Sequence, residues 1–305
     1  MYFTFTHPMH KHPYNPELVT GSGIGAVAVA AEAAGMNGIG FTDHPAPSQR
    51  WLDSGGHDAV DPFVAMGFVA SQTQTLRLIP NLIVLPYRNP FVVAKSAATL
   101  DRLSDGRFTL SVGVGYLRRE FDALGVDFDE RAHLFEEALE VIRGIWSSDE
   151  YSYPGRHFTA SGITSHPRPV TKPHPPIWIG GNSAAARARV ARHGNGWSPF
   201  PAPPALAQAA RTSVLDTTGL RAGIDDLRRR LDNMGRDSTD IDISFRNVAG
   251  GNPGDADFNA DAYLSGLEDL AALGVTWVQV DLPGDGLTHL LDTIESFGQS
   301  VIQAQ

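Results

Sequence analysis

The sequence predicts an α/β protein, a (β/α)8 TIM barrel with an insertion after the fourth strand. Eight short apolar runs alternate with helical patterns along the 305 residues, and such a barrel contains eight strand and helix units. The runs are apolar throughout, as strands of a parallel sheet are when helices cover both of its faces. No repeat and no linker divides the chain, so we expect residues 1–305 to form one domain.

The first half of the chain supplies four predicted strands and four predicted helices. Asp61 precedes Pro62 in the arrangement of an N-cap followed by a proline in the first helical turn. Apolar residues recur at helical spacing over 129–147, whereas the β-rich run 76–85 is broken by Pro80 and Asn81. The strands are predicted at 2–6, 38–42, 76–85 and 108–112, and the helices at 27–35, 62–73, 90–103 and 129–147.

The second half continues this alternation with two interruptions. Segment 148–176 is rich in proline, histidine and aromatic residues, and we expect it to be an insertion between the fourth and fifth strands. Segment 198–218 is rich in proline and alanine and is expected to be a second insertion. The strands are predicted at 177–179, 196–198, 241–245 and 276–280, and the helices at 184–193, 220–234, 261–273 and 287–297.

Composition excludes several classes of protein. The 24 Lys and Arg residues against 34 Asp and Glu residues give a formal net charge of −10, which argues against a nucleic-acid partner. The absence of cysteine excludes disulfides, thiolate nucleophiles and Cys-bound metals. No apolar run approaches the about 20 residues of a membrane span, and no signal peptide is visible at the N-terminus. We therefore expect a cytoplasmic protein with no membrane partner.

The active site of such a barrel is built at the carboxyl ends of the strands. This rule nominates residues 7–12, 80–86, 113–116, 180–183 and 199–200, together with Asp43, His44 and Asp281.

Gly180, Gly181, Asn182 and Ser183 lie between a predicted strand and a predicted helix. Two glycines allow a tight turn, and free N–H groups at a helix N-terminus attract an anion, so this turn is a candidate phosphate site. The alternative is a capped turn without a ligand.

Asp43 and His44 directly follow the second strand. An imidazole is a natural general acid or base at neutral pH, and an adjacent carboxylate can fix its tautomer. The alternative is a helix-capping Asp43 beside a surface histidine.

Three further patterns have competing interpretations. Residues 21–26 match a dinucleotide-binding fingerprint, but no buried strand precedes them, so a Rossmann site is not expected. His10 and His12, with Asp281, resemble part of a metal site, yet the middle strands end without histidines, so no metal is expected. Gly113 and Gly115 allow a flat ligand to approach the backbone, or they relieve crowding at the barrel mouth.

Several segments in order resemble the luciferase-like family of flavin- and deazaflavin (F420)-dependent oxidoreductases. These are 41–44, 61–63, 81–90, 94–107, 113–116 with Glu120-Phe121, and 175–183. The resemblance is strong over about residues 38–200 and holds only in outline elsewhere.

The resemblance implies the same barrel and assigns roles to site residues. Asn81-Leu82 corresponds to the family's cis peptide bond behind the flavin ring, and Gly180 to Ser183 to its phosphate site. His44 stands where the family moves a proton beside the ring, and Asp43 would orient it. One departure is Tyr116, which stands where F420-dependent sugar-phosphate dehydrogenases carry a glutamate, while Glu120 matches a structural Glu-Phe pair.

These observations predict an oxidoreductase that transfers a hydride between F420 and a small organic substrate. His7 and Trp51 are the candidate substrate contacts, and a homodimer is expected from the resemblance. The first alternative is an FMN-dependent monooxygenase that is supplied by a separate flavin reductase. The second is a non-catalytic barrel that only binds flavin or F420. Gly113 occupies a position where some luciferase relatives have a reactive cysteine, which favours hydride transfer over oxygen chemistry.

Overall fold

A computed structural model describes residues 1–9, 11–209 and 212–305. The strands are β1 (Tyr2–Thr6), β2 (Gly38–Gly40), β3 (Arg77–Leu78), β4 (Ile83–Val84), β5 (Leu110–Gly113), β6 (Tyr151–Pro154), β7 (Thr159–Ile163), β8 (Ile177–Gly180), β9 (Gly196–Ser198), β10 (Asp242–Arg246) and β11 (Trp277–Val280). The α-helices are α1 (Gly21–Ala33), α2 (Gln49–Asp53), α3 (Pro62–Gln72), α4 (Pro90–Leu103), α5 (Arg118–Ala123), α6 (Arg131–Ser147), α7 (Ala184–His193), α8 (Pro204–Ala209), α9 (Thr217–Asn233), α10 (Ala260–Leu273) and α11 (Leu287–Phe297).

Nine strands of the described chain form one parallel sheet in the order β3-β2-β1-β11-β10-β9-β8-β5-β4. The two edge strands, β3 and β4, are consecutive pieces of one chain segment. β3 pairs with β2 and β4 pairs with β5, and an additional bridge joins Leu78 to Phe108. The sheet therefore curls round on itself, and the predicted (β/α)8 class of fold is confirmed.

The core fills both the interior of the sheet and the space between sheet and helices. Phe3, Phe5, Ile39 and Val278 are among the buried apolar residues of the sheet. A few polar side chains are also enclosed, and Gln279 satisfies its amide by donating to Ser198 and Ser244. In the described ranges no helix has the length and apolar character needed to cross a membrane.

α1 begins six residues earlier than the sequence pattern predicts. Thr20 caps the helix by accepting a hydrogen bond from the N–H of Gly23 (2.9 Å). A side chain at Gly23 would meet the Glu17 carbonyl oxygen at 2.0 Å, so this early turn requires glycine. Residues 21–26 are therefore helical, and a 3-10 segment, Pro16–Val19, precedes them instead of the strand that a dinucleotide fingerprint needs.

The two predicted insertions differ in structure. Within 148–176, β6 and β7 pair as an antiparallel hairpin that is separate from the barrel sheet. Within 198–218, a bridge between Ala202 and Leu215 closes a loop that contains α8.

Candidate active site

His44 lies beyond β2 at the mouth of the barrel, and its ring is held by a buried carboxylate from α5. The Nδ1 atom of His44 is 3.0 Å from Oε2 of Glu120, a residue with no exposed surface. An ionised carboxylate only accepts hydrogen bonds, so in this pair Nδ1 donates. Nε2 is then the ring atom left to exchange a proton with a ligand.

Glu120 also accepts hydrogen bonds from the N–H of Ala46 (3.0 Å) and the hydroxyl of Tyr87 (2.8 Å). Burial alone would raise the pKa of Glu120, but the hydrogen bonds from His44, Ala46 and Tyr87 outweigh it and lower that pKa below its ordinary value. The pKa of Tyr87 is raised by burial and by the charge of Glu120. The arrangement thus keeps an ionised carboxylate beside the imidazole.

The expectation that Asp43 orients His44 is wrong. The Asp43 carboxylate accepts hydrogen bonds from Arg88 (2.7 and 3.2 Å) and from the N–H of Val84 (3.0 Å). Arg88 also donates to Asp61, the N-cap of α3 (3.0 Å). Asp43 thus contacts β4 through Val84, whereas His44 contacts α5 through Glu120. Asp43 therefore anchors the loop that carries His44.

Aromatic rings surround the His44 imidazole. Trp51, on α2, lies 4.8 Å from it between ring centroids, and His57 lies 5.0 Å away in an edge-on arrangement. Tyr116 is at 6.2 Å, and burial, with the charge of Glu120, raises its pKa to about 12. Trp51 is thus placed against His44, and its contact with a substrate stays a prediction.

The turn between β8 and α7 has the features of an anion site. Gly181 has a φ of +110°, which side-chain-bearing residues rarely adopt, so glycine is required by the turn. Ser183 caps α7 by accepting from the N–H of Ala186 (3.2 Å). The first-turn N–H groups of Ala184 and Ala185, whose residues are exposed, have no partner within a helix.

Asn182 has a structural task within this turn. Its side-chain N–H groups donate to the backbone carbonyl oxygens of Phe200 (3.0 Å) and Ser213 (3.1 Å). Its side-chain oxygen, Oδ1, accepts from the N–H of Phe200 (3.0 Å). The side chain of Asn182 therefore ties down the loop after β9, and only its backbone remains available to a phosphate.

Leu82 directly precedes β4 and lies against Gly113 of β5 and Gly180 of β8. The Asn81-Leu82 peptide bond is cis, and the Asn81 side chain donates to Thr6 Oγ1 (2.8 Å). A side chain at Gly113 would meet Leu82 at 2.4 Å, and one at Gly180 would meet it at 2.2 Å. These two glycines make room for Leu82, and for Gly113 this agrees with the crowding interpretation. Contacts of Gly113, Gly115 and Leu82 with a cofactor stay predictions.

A cavity of about 480 Å³ opens at the mouth. Its wall includes Thr6 and His7 of the first strand end, Asn81, His57, and the ion-paired Arg246 and Asp281 at the ends of β10 and β11. The His7 Nε2 atom donates to the Leu18 carbonyl (2.7 Å), and burial lowers the pKa of His7 to about 4 although that hydrogen bond favours the proton. The substrate role of His7 stays a prediction.

The residues considered for a metal site do not converge in the described part of the chain, where no group of three His, Asp, Glu or Cys side chains could hold an ion. His12 contacts Asp58 (2.9 Å) and Asp281 is paired with Arg246. His10 lies outside the described residues.

Sequence reasoning missed four side chains of this site: Glu120, Tyr87, His57 and Arg246. Glu120 lies in the Glu-Phe pair of the resemblance, which predicts only a structural role for it. Arg246 stands one position beyond the predicted end of its strand, so the strand-end rule would have found it with a corrected boundary. Tyr87 likewise lies within segment 81–90 of the resemblance, which gives it no role at the site. No sequence signal marks His57, whose proximity to His44 depends on the folding of separate loops.

The fold places the candidate site at the carboxyl ends of the barrel strands, where enzymes of this architecture carry their chemistry. More particularly, the chain belongs to the luciferase-like monooxygenase family, whose model matches residues 1–266. Members of this family are flavin- or F420-dependent oxidoreductases and monooxygenases.

Individual relatives include users of both kinds of cofactor. An FMNH2-dependent dimethylsulfone monooxygenase of Pseudomonas putida is 30% identical over 161 residues, which are 52% of this chain and 40% of that protein. The chain spans about half the length of the curated relatives it matches. Among solved structures, the monooxygenase RslO1 of Streptomyces bottropensis has a TM-score of 0.80 and 18% identity, covering 100% of this chain and 99% of that one. A coenzyme F420-dependent tetrahydromethanopterin reductase of Methanopyrus kandleri has a TM-score of 0.74 and 17% identity, covering 99% of each chain.

Proposed function

We propose that this enzyme transfers a hydride between F420 and a small organic substrate, with His44 moving the accompanying proton. The observation that carries this proposal is the Glu120–His44 pair. A buried, ionised carboxylate holds Nδ1 and leaves Nε2 at a mouth that contains a cavity. Such a pair can accept a proton at Nε2 because Glu120 stabilises the resulting imidazolium.

The residues at the mouth fit a phosphate-bearing cofactor with a flat ring. The open N–H groups of Ala184 and Ala185, with the glycine turn before them, suit a phosphate because a helix N-terminus attracts anions. Leu82 offers an apolar wall between Gly113 and Gly180 against which a ring can lie. When bound, the deazaflavin supplies the hydride chemistry, and the protein supplies binding and orientation.

The remaining site residues support His44. Tyr87 and the N–H of Ala46 fix the Glu120 carboxylate, so the imidazole keeps one orientation. Trp51 and Tyr116 pack round the ring and limit the access of water to it. Asp43, through Arg88, holds the loop in place.

Two observations support F420 as the cofactor. Segments 81–107 and 177–181 resemble the F420-dependent branch of the family, and Gly113 stands where some luciferase relatives have a reactive cysteine. The FMN-dependent monooxygenase remains the second candidate, because a relative that uses FMNH2 is 30% identical. That function would require a flavin reductase as partner. A homodimer also stays a prediction.

Titrating the protein with F420 and with FMN, and following cofactor fluorescence, tests the proposal. We expect F420 to bind at least about tenfold more tightly than FMN. Tight binding of FMN without binding of F420 would favour the monooxygenase. Once turnover is found, His44→Ala should lower kcat by about 100-fold or more. The exposed His133→Ala is the matched control, and an unchanged rate in His44→Ala would remove His44 from the mechanism.

A further inference from the structure

The two walls of the barrel mouth differ in chemistry. In the order of the sheet, β4 and β5 lie opposite β10 and β11. Leu82 and the glycines form the apolar wall on the first side, next to the α7 N-terminus. On the other side, Arg246 is the last residue of β10 and Asp281 directly follows β11. A cofactor held along the first wall leaves the second wall to the substrate.

Six of the residues that line the cavity on this side carry hydrogen-bonding side chains, and Pro253, Leu282 and Pro283 lie among them. Arg246 and Asp281 are paired with each other, and their side chains remain 31% and 46% exposed. Beside them Asp285 pairs with His289 (2.8 Å), and Asp255 accepts from the amide of Asn252 (3.0 Å). Each of these carboxylates therefore has a hydrogen-bond or ion-pair partner. Because Lys11 also lines the cavity, the wall presents cationic donors and carboxylate acceptors side by side.

Small-molecule cavities are usually lined mainly by apolar side chains, so a wall of this kind points to a particular substrate chemistry. An apolar molecule would remove water from Arg246 and Asp281 without replacing their lost hydrogen bonds. An anionic molecule would meet the carboxylates of Asp281 and Asp285, and a cationic one would meet Arg246.

We propose that Arg246 and Asp281 are the specificity-determining pair and that the substrate is a neutral, multiply hydroxylated molecule. Arg246 donates to one substrate oxygen, while Asp281 accepts from a hydroxyl group. This inference rests on the proposed function, because it assigns the opposite wall to the cofactor.

Four probes with one six-membered carbon ring separate the alternatives: myo-inositol, cyclohexanol, cyclohexanecarboxylate and cyclohexylammonium. Each is titrated into the full chain by calorimetry, with and without F420. We expect myo-inositol to bind and the other three to bind at least about tenfold more weakly. Equal or tighter binding of any of the other three, or no measurable binding of myo-inositol, overturns the inference.

Variants test the two named residues. Arg246→Met and Asp281→Asn should each weaken myo-inositol binding about tenfold, whereas Arg221→Met, an exposed arginine on α9, should leave it unchanged. Unchanged affinity in both site variants overturns the inference, and circular dichroism verifies that each variant is folded. The F420 titration reports separately on the proposed function. A chain that binds myo-inositol through Arg246 but does not bind F420 refutes the cofactor and retains this wall as the polyol site.

Discussion

The stability of the protein should depend on pH through one buried histidine, His7. Its side chain is 2% exposed, and its Nε2 donates to the Leu18 carbonyl (2.7 Å). Burial disfavours the charged imidazolium more than this hydrogen bond favours it, so the pKa of His7 falls from its ordinary 6.5 to about 4. Replacing His7 with glutamine keeps an N–H donor for Leu18 and removes the titrating group.

The size and sign of the effect follow from linkage. Between pH 6.5 and about 4 the unfolded chain holds a proton on His7 that the folded protein does not. Because the unfolded state binds more protons, the free energy of unfolding falls as the pH is lowered through this window. With a pKa of 6.5 in the unfolded chain and about 4 in the folded protein, lowering the pH from 7.5 to 5 reduces the free energy of unfolding by about 2 kcal/mol.

Urea unfolding at pH 7.5 and pH 5, followed by circular dichroism, measures this loss. The wild-type protein should lose about 2 kcal/mol more than His7→Gln over that interval, because all other titrating groups are shared. The exposed His133→Gln serves as control and should behave like the wild type. Equal losses in wild type and His7→Gln would show that His7 accepts a proton in the folded state, and the reasoning from burial would be refuted.

Three further variants probe the site by other measurements. Glu120→Gln removes the charge beside His44, so kcat should fall by about 10- to 100-fold with a smaller change in KM, measured by initial rates at saturating cofactor; an unchanged kcat would exclude the pair from proton transfer. Gly180→Ala should lower the free energy of unfolding by about 1–3 kcal/mol, since its new methyl group would lie 2.2 Å from Leu82. Gly67→Ala, a helical position with open space around it, should instead raise it by about 0.5–1 kcal/mol in the same urea titration. Asn182→Ala breaks three hydrogen bonds to the loop after β9 and should speed limited proteolysis of that loop, which an unaltered digestion pattern would contradict.

The fold could be predicted because apolar periodicity is local and repeated. Each strand and helix of the barrel carries its own pattern, and the helices 90–103, 184–193 and 287–297 have the predicted bounds. The start of α1 was not predictable from periodicity, since glycines at 21, 23 and 25 are poor helix formers. Tertiary packing decides that turn, because Gly23 lies against the Glu17 carbonyl.

The site could be predicted only where it follows strand ends. That rule predicts His44, Asn81, Gly180 and Asp281, because the parallel sheet brings the carboxyl ends of its strands to one end of the barrel. The rule does not find Glu120, because this residue lies on α5, a short helix beyond the strand end. Glu120 is also 76 positions from His44 along the chain. Asp43 is the sequence neighbour of His44 and was therefore expected to be its partner. In the structure Asp43 contacts Arg88, and the partner of His44 is Glu120.

The two carboxylates near His44 consequently have separate tasks that the protein could not exchange. Asp43 is paired with Arg88, a permanent cation, so its charge is already compensated and contributes to holding the loop. Among the described residues, Glu120 receives only neutral donors besides His44, namely a hydroxyl and a backbone N–H, and these stabilise its charge without cancelling it. The net negative charge of Glu120 therefore remains available to an imidazolium. Under the proposed function, a proton that arrives at Nε2 of His44 meets a carboxylate that has no other cation as hydrogen-bond partner in the described ranges. This is the electrostatic condition for a histidine that accepts a proton and later returns it.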